Sequence, residues 1–334
     1  MKKAIFLCKH KEKFESVYSD KVIERISALS ELDRKLYTKD DVLAEPESFR
    51  DVQIIFSTWG MPSFEKEEIE RIFPRLECVF YAAGTVQKFA RPFLECGVKV
   101  FSAWAANAVP VAEYTVAQII LANKGFFTHS RLMNEKKLHE AHALTKIYPG
   151  NYNEKIGLIG CGMIGSLVAE MLKGYKLGVL VYDPFLSEEK ADALGVTKVS
   201  LEELFASCSV VSNHLANNEA TKGILQYSHF SSMMPYATFI NTGRGAQVVE
   251  DDLVRVLEER EDLTAILDVT YPEPAPLEHK FYTLNNCILT PHIAGSLGNE
   301  VVRMSEYMVE EFEKYLDGVP TRYEVSLKML ETMA

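Results

Sequence analysis

Three residues of complementary chemistry stand just past short apolar runs in the second half of the chain. Arg244 lies in Asn241-Thr242-Gly243-Arg244-Gly245, Glu273 in Tyr271-Pro272-Glu273-Pro274, and His292 in Leu289-Thr290-Pro291-His292. Together they could reduce a small 2-keto acid, or oxidise the matching 2-hydroxy acid. Arg244 offers a planar bidentate fork that holds a carboxylate and polarises a carbonyl. His292 suits proton donation near neutral pH. Glu273 would orient the imidazole and balance its charge. In the oxidative direction a neutral His292 takes the hydroxyl proton as hydride leaves. Taken singly, each has a plainer reading: a capping residue, a strand-end histidine, a solvated loop acid.

Hydride transfer needs a carrier, and a second pattern supplies a place for one. Gly160-Cys161-Gly162-Met163-Ile164-Gly165 follows the apolar run Lys155–Ile159 and opens a helical stripe at Ile164, Leu167, Val168, Met171 and Leu172. In that setting Gly160 permits a tight turn, Gly162 admits a pyrophosphate, and Gly165 allows close helix–strand packing. Met163 and Ile164 begin the helix on which the pyrophosphate would rest. Asp183 ends the next strand and would accept hydrogen bonds from the ribose hydroxyls. It would also repel a 2′-phosphate, which favours NAD over NADP. The plainer reading is a tight turn with no ligand. Ligands of open α/β sheets bind at the carboxyl ends of the strands. His214, Thr242 and Asp268 fall there and are expected on the cofactor side, with Asp268 near the nicotinamide. The expectation includes no metal. His139 and His142 are three apart, not the four of a zinc-binding helix, and have no third ligand in view.

These residues need elements to hold them. Apolar runs at Lys3–Cys8, Val52–Thr58, Cys78–Ala82 and Val98–Phe101 read as strands, with helical spacing at Val22–Leu29 and Glu65–Ile72 between them. A second series follows, at Lys155–Gly160, Gly178–Tyr182, Val210–His214, Thr238–Asn241, Ala265–Val269 and Cys287–Thr290. The alternation implies α/β architecture, with two doubly wound parallel-sheet domains of Rossmann type. Pro110 is expected in the first turn of a helix that enters the second domain. The amphipathic stretch Gly298–Leu316 is expected as one long helix returning to the first. The expected domains are therefore 1–108 with 296–334, and 109–295.

Composition narrows the partners. The 334 residues are 47% hydrophobic and 25% charged, with a net charge of -11. Such a balance argues against nucleic acid, which needs a basic face. No apolar run is seen to approach the ~18–20 residues that cross a bilayer. The N-terminal apolar stretch is short and is followed by Lys9, Lys11 and Lys13, so it reads as a buried strand, not a signal peptide. Six scattered cysteines with no CxxC pair read as reduced thiols of a cytoplasmic protein.

The segments Gly160–Gly165, Asn241–Gly245, Leu267–Pro274 and Thr290–Gly295 resemble the D-isomer-specific 2-hydroxyacid dehydrogenase family. The likeness runs from about Val52 to Leu316. It implies that Arg244, Glu273 and His292 are the catalytic trio, with Asp183 and Asp268 as cofactor-side acids. Asn107 with Val111-Ala112-Glu113 matches the family's substrate-side helix. The likeness also implies a cleft between the domains, hinge closure on binding, and a homodimer built through the cofactor domain. The substrate loop departs from the usual Gly-x-Gly, reading Ala82-Ala83-Gly84-Thr85. Backbone N–H groups of Gly84 and Thr85 could still cradle a carboxylate. Trp59 and Trp104, in expected loops on the substrate side, wall an apolar pocket in one reading and are ordinary packing in the other. Two alternatives stay open: a phosphoglycerate-type dehydrogenase, and a non-catalytic NAD sensor on the same scaffold.

Overall fold

A computed structural model describes residues 1–331. The chain divides into two compact units, Met1–Asn107 with the chain from Ser296 onward, and Ala108–Gly295.

The first unit is built on β1 (Lys3–Leu7), β2 (Glu31–Tyr37), β3 (Ile54–Ser57), β4 (Cys78–Tyr81) and β5 (Lys99–Ser102), which lie in the order β2-β1-β3-β4-β5. These five pair in parallel. Both β3 and β4 are buried along their whole length, as unbroken apolar runs require when a sheet is covered on both faces. Stacked phenylalanines tie the strands together: Phe80 lies on Phe101 at 4.7 Å, and Phe312 from the helix Val302–Leu316 meets Phe56 edge-on at 5.3 Å. Two features correct the expectation for this unit. The sheet is mixed, because the two-residue strand Glu324–Val325 pairs antiparallel with β5. The stretch expected as one helix from Gly298 begins as a 3-10 turn, Gly298–Val301, and becomes α-helical only at Val302.

The second unit is a seven-stranded parallel sheet of β6 (Tyr152–Ile159), β7 (Lys176–Tyr182), β8 (Thr197–Lys198), β9 (Val210–Asn213), β10 (Thr238–Asn241), β11 (Thr264–Leu267) and β12 (Cys287–Leu289). Its order is β8-β7-β6-β9-β10-β11-β12. The winding reverses between β6 and β9. A crevice therefore opens beyond the carboxyl ends of that pair, where chains leave in opposite directions.

The helix expected to start at Pro110 starts at Trp104 and runs to Asn123, with Pro110 inside it. The proline removes one donor from the ladder, yet neighbouring positions Ala106, Ala108, Val111 and Ala112 are all buried. Packing on this face carries the helix past its own punctuation. The same helix corrects the membrane-length expectation, since by length and composition it could cross a bilayer. In the fold its Ala112, Val116, Ile119 and Ala122 pack against Ile156, Leu158, Val168 and Leu172 of the second unit's core.

Candidate active site

The glycine turn joins β6 to the helix Met163–Leu172. Gly160 has φ +90°, a conformation that side-chain-bearing residues rarely adopt. A Cβ there would meet the carbonyl oxygen of His214 at 2.8 Å, and a Cβ on Gly165 would lie 2.1 Å from the carbonyl oxygen of Gly160. Strand, turn and helix are thus pressed together on the inside. On the outside a Cβ at Gly162 would meet nothing within 4 Å. Gly162 is the N-cap, and no side chain caps the helix, so its first N–H groups face open space with the positive end of the helix dipole. Met163 beside it is 45% exposed, while Ile164 turns partly into the core. Ser166 Oγ and Lys190 Nζ both donate to the Cys161 carbonyl, at 2.9 and 3.0 Å, and hold the turn from behind.

Asp183 follows β7. One of its oxygens accepts from the Cys161 N–H at 2.6 Å, the other from the Phe185 N–H at 2.8 Å. The carboxylate is therefore fixed to the glycine turn itself, and Phe185 beside it is 95% exposed. His214 follows β9, across the switch point. Its ring is buried, Nε2 lies 2.9 Å from Ser212 Oγ, and Nδ1 is buried with no partner among the described residues. Burial holds its pKa down to about 4, so the imidazole is neutral. An open helix N-terminus, a fixed acid after the second strand and an orphaned ring nitrogen beside the turn fit a dinucleotide. Thr242 is buried next to the same edge, with Oγ1 3.4 Å from Thr115 Oγ1.

Arg244, Glu273 and His292 follow β10, β11 and β12, three neighbouring strands. Adjacent strands lie about 4.8 Å apart, so the three loops emerge side by side. Nδ1 of His292 stands 2.6 Å from Oε1 of Glu273, with both side chains about two-fifths exposed. Among the described residues no hydrogen bond or ion pair joins Arg244 to that pair, although its loop touches the one that carries Glu273. A Cβ on Gly245 would lie 2.1 Å from the carbonyl carbon of Thr270, so the Arg244 and Glu273 segments are in backbone contact. The guanidinium spends one N–H, from Nη1, on the Gly243 carbonyl at 2.8 Å. Among the described residues its other N–H groups have no partner.

Two sets of buried hydrogen bonds support this constellation, and the first was not read from the sequence. The first is an amide network. Asn213 Nδ2 donates to Asn241 Oδ1 and to Gln247 Oε1, Asn241 Nδ2 donates to the Arg244 carbonyl, and Gln247 Oε1 accepts from the Arg244 N–H. All three amides are buried, and such groups stay inside only when paired. The polar ends of the apolar runs Val210–Asn213 and Thr238–Asn241 were the available signal. The second is at Asp268, the acid expected on the cofactor side, which also braces the His292 loop. It is 2% exposed, with Oδ1 accepting from Thr290 Oγ1 and the Ile293 N–H and Oδ2 accepting from the Ala294 N–H. His292 itself has φ +57°. That strain costs on the order of 1 kcal/mol. Three hydrogen bonds to one carboxylate, at roughly 1.5–3 kcal/mol each, outweigh it.

The substrate-side residues all belong to the first unit. Carbonyls of the 82–84 loop turn inward, to Thr58 Oγ1 and Ser102 Oγ. The N–H groups of Gly84 and Thr85 make no hydrogen bond among the described residues. Trp59 and Trp104 are both partly buried against the first unit's core. Trp104 lies on a helix, not in a loop, and meets Tyr323 edge-on at 5.6 Å. Asn107 spends Oδ1 on the Ser296 N–H at 3.1 Å.

Residues 116–294, just over half of the chain, match the sequence model of the D-isomer specific 2-hydroxyacid dehydrogenase NAD binding domain. The chain belongs to the D-isomer-specific 2-hydroxyacid dehydrogenase family. The matched span contains every residue of the glycine turn and of the Arg244, Glu273 and His292 loops. Among its relatives in the family, a D-3-phosphoglycerate dehydrogenase of Synechocystis sp. is 29% identical over 232 residues, covering 69% of this chain and 41% of that protein. A glyoxylate reductase of Korarchaeum cryptofilum is 28% identical over 253 residues, covering 75% and 76%. The chain spans less than half the length of the first phosphoglycerate dehydrogenases it matches. In fold it is similar to a phosphoglycerate oxidoreductase from Rhizobium etli, with TM-score 0.82, 20% identity and coverage of 99% and 100%. The apo D-mandelate dehydrogenase of Rhodotorula graminis gives 0.81, 18%, and 98% of each chain.

Proposed function

We propose that this chain is an NAD-dependent oxidoreductase that moves a hydride between the nicotinamide and C2 of a small 2-hydroxy or 2-keto acid. The observation that carries the reading is the 2.6 Å contact of His292 Nδ1 with Glu273 Oε1, one strand away from an arginine with uncommitted N–H groups. A sensor would need the glycine turn but not this pair.

NAD, when bound, supplies the hydride acceptor or donor. Gly160, Gly162 and Gly165 with the helix start would hold its pyrophosphate, and Asp183 its ribose hydroxyls, which supports NAD over NADP. Glu273 accepts the Nδ1 proton of His292 and so leaves Nε2 as the atom that exchanges a proton with the substrate. In reduction His292 donates that proton to the forming alkoxide; in oxidation it removes it from the hydroxyl. Arg244 holds the acid's carboxylate and draws charge from the carbonyl oxygen. In the first unit, taken by itself, the unpaired N–H groups of Gly84 and Thr85 suit a carboxylate. The reading keeps the chain off membranes and nucleic acid. Six free thiols, four of them buried, support a cytoplasmic location.

The chain also exposes large apolar side chains that suit contact with a second copy of itself. Phe126, Met133, Leu138, Ile147 and Tyr152, from one stretch of the second unit, are 45–67% exposed, and such patches mark interfaces. We therefore include a homodimer in the reading.

The test is NADH oxidation with a panel of 2-keto acids, including glyoxylate, phenylglyoxylate and 3-phosphohydroxypyruvate. Turnover of at least one is expected. Tight NADH binding with no turnover on any of them would favour the sensor, and turnover of the phosphorylated acid alone would favour the phosphoglycerate type.

A further inference from the structure

Glu250 takes no part in the chemistry above, yet it is tied to the segment that does. It opens the helix Glu250–Glu259, and its side chain is 11% exposed. Oε1 accepts from the backbone N–H of Tyr271 at 2.8 Å, and Oε2 lies 3.5 Å from Nε2 of His279. Tyr271 is two residues before Glu273.

His279 is itself oriented. Its Nδ1 accepts from the Phe281 N–H at 3.2 Å, and its ring lies 4.3 Å from that of Phe281, which is 2% exposed. A neutral imidazole that accepts at Nδ1 carries its proton on Nε2, the atom facing Glu250. The other side of the segment is also fixed. The Thr270 backbone lies against Gly245, and Thr270 Oγ1 donates to the Pro272 carbonyl at 2.9 Å. Residues 270–271 are thus held from two directions, while Glu273 projects beyond them to His292.

An acid in a helix's first turn ordinarily serves that helix, by its charge or by capping free N–H groups. Glu250 gives an oxygen to a different segment instead. We propose that Glu250, backed by His279, is a positioning residue: by holding the Tyr271 N–H it sets Glu273 against Nδ1 of His292. This rests on the reaction proposed above, in which that contact selects the proton-exchanging nitrogen.

Two variants separate positioning from bulk stability. Glu250→Ala removes the acceptor; Glu250→Gln keeps a carbonyl oxygen in the same place. The readouts are the tautomer of neutral His292, from its ring 15N shifts, and the split between kcat and KM for NADH. For Glu250→Ala we expect a shift away from the Nδ1–H tautomer and a kcat about 10–100-fold lower, as slight misplacement of a reacting group produces. KM for NADH should stay within about twofold, since uniform binding is untouched. Glu250→Gln should restore both tautomer and kcat. A Glu250→Ala protein with the original tautomer and kcat would overturn the proposal, as would a Gln variant as impaired as the Ala variant. Should Glu250→Ala not fold, Glu250→Asp, one methylene short, carries the same expectations. If the unmodified protein reduces no 2-keto acid, the proposed reaction falls while the tautomer readout still decides the positioning role.

Discussion

The guanidinium of Arg244 is held at its base and free at its fork. Asn241 and Gln247 fix its backbone, and among the described residues only one guanidinium N–H is spent. That is the state expected of a group waiting for a planar anion, because a bidentate pair needs two parallel N–H donors already aimed. A lysine would place a point charge nearby but could not hold carboxylate and carbonyl in one plane. Arg244→Lys should therefore lower kcat/KM by about 10–100-fold. Steady-state kinetics with the best acid of the panel checks this. Unchanged constants would assign Arg244 to the amide network alone.

At the scale of elements, each of Arg244, Glu273 and His292 sits on a loop whose conformation is imposed by something else. Asp268 clamps the His292 loop, the buried amides clamp the Arg244 loop, and Glu250 clamps the segment before Glu273. The last clamp has a pH signature. Burial pushes the Glu250 carboxyl up from 4.5 to about 7; the Tyr271 N–H opposes the shift and Asp251 adds to it. The folded protein thus holds this proton more tightly than the unfolded chain. Stability from the group is fully present below about 4.5 and is lost as pH rises through about 7. Glu250→Gln cannot ionise, so it should be more stable than the parent at about pH 8, by up to about 3 kcal/mol, and no more stable at about pH 4. Urea melts at the two pH values check this; an equal difference at both would contradict it.

Much of this scale was legible beforehand. The glycine turn, its acid and the three loops declared themselves by residue type directly after apolar runs. What stayed hidden depended on tertiary contacts. Glu31–Tyr37 forms an edge strand although it is rich in charge, because only one side of it pairs, with β1. The Pro110 helix begins six residues early because buried alanines on both sides favour helix over the proline's preference. The bracing of the His292 loop by Asp268 stayed hidden because its position in sequence does not reveal which N–H groups a strand-end carboxylate meets.

At the scale of the molecule, Arg244, Glu273, His292, the glycine turn and Asp183 all lie within Ala108–Gly295, and all fall in the residues 116–294 that match the family's NAD-binding domain. The remaining unit offers its own loop N–H groups. Size-exclusion chromatography with light scattering should give twice the 37.7 kDa chain mass, and Leu138→Asp with Phe126→Asp should halve it by placing charge among these exposed apolar side chains. A monomer in the parent would remove the homodimer from the reading.

In the proposed reaction His292, oriented by Glu273, exchanges the proton that accompanies hydride transfer. The most direct measurement is single-turnover NADH oxidation by the parent and by His292→Ala, mixed with the best 2-keto acid. The variant should be ~10²–10⁴-fold slower, with NADH affinity kept. A variant that turns over at close to the parent rate would contradict it.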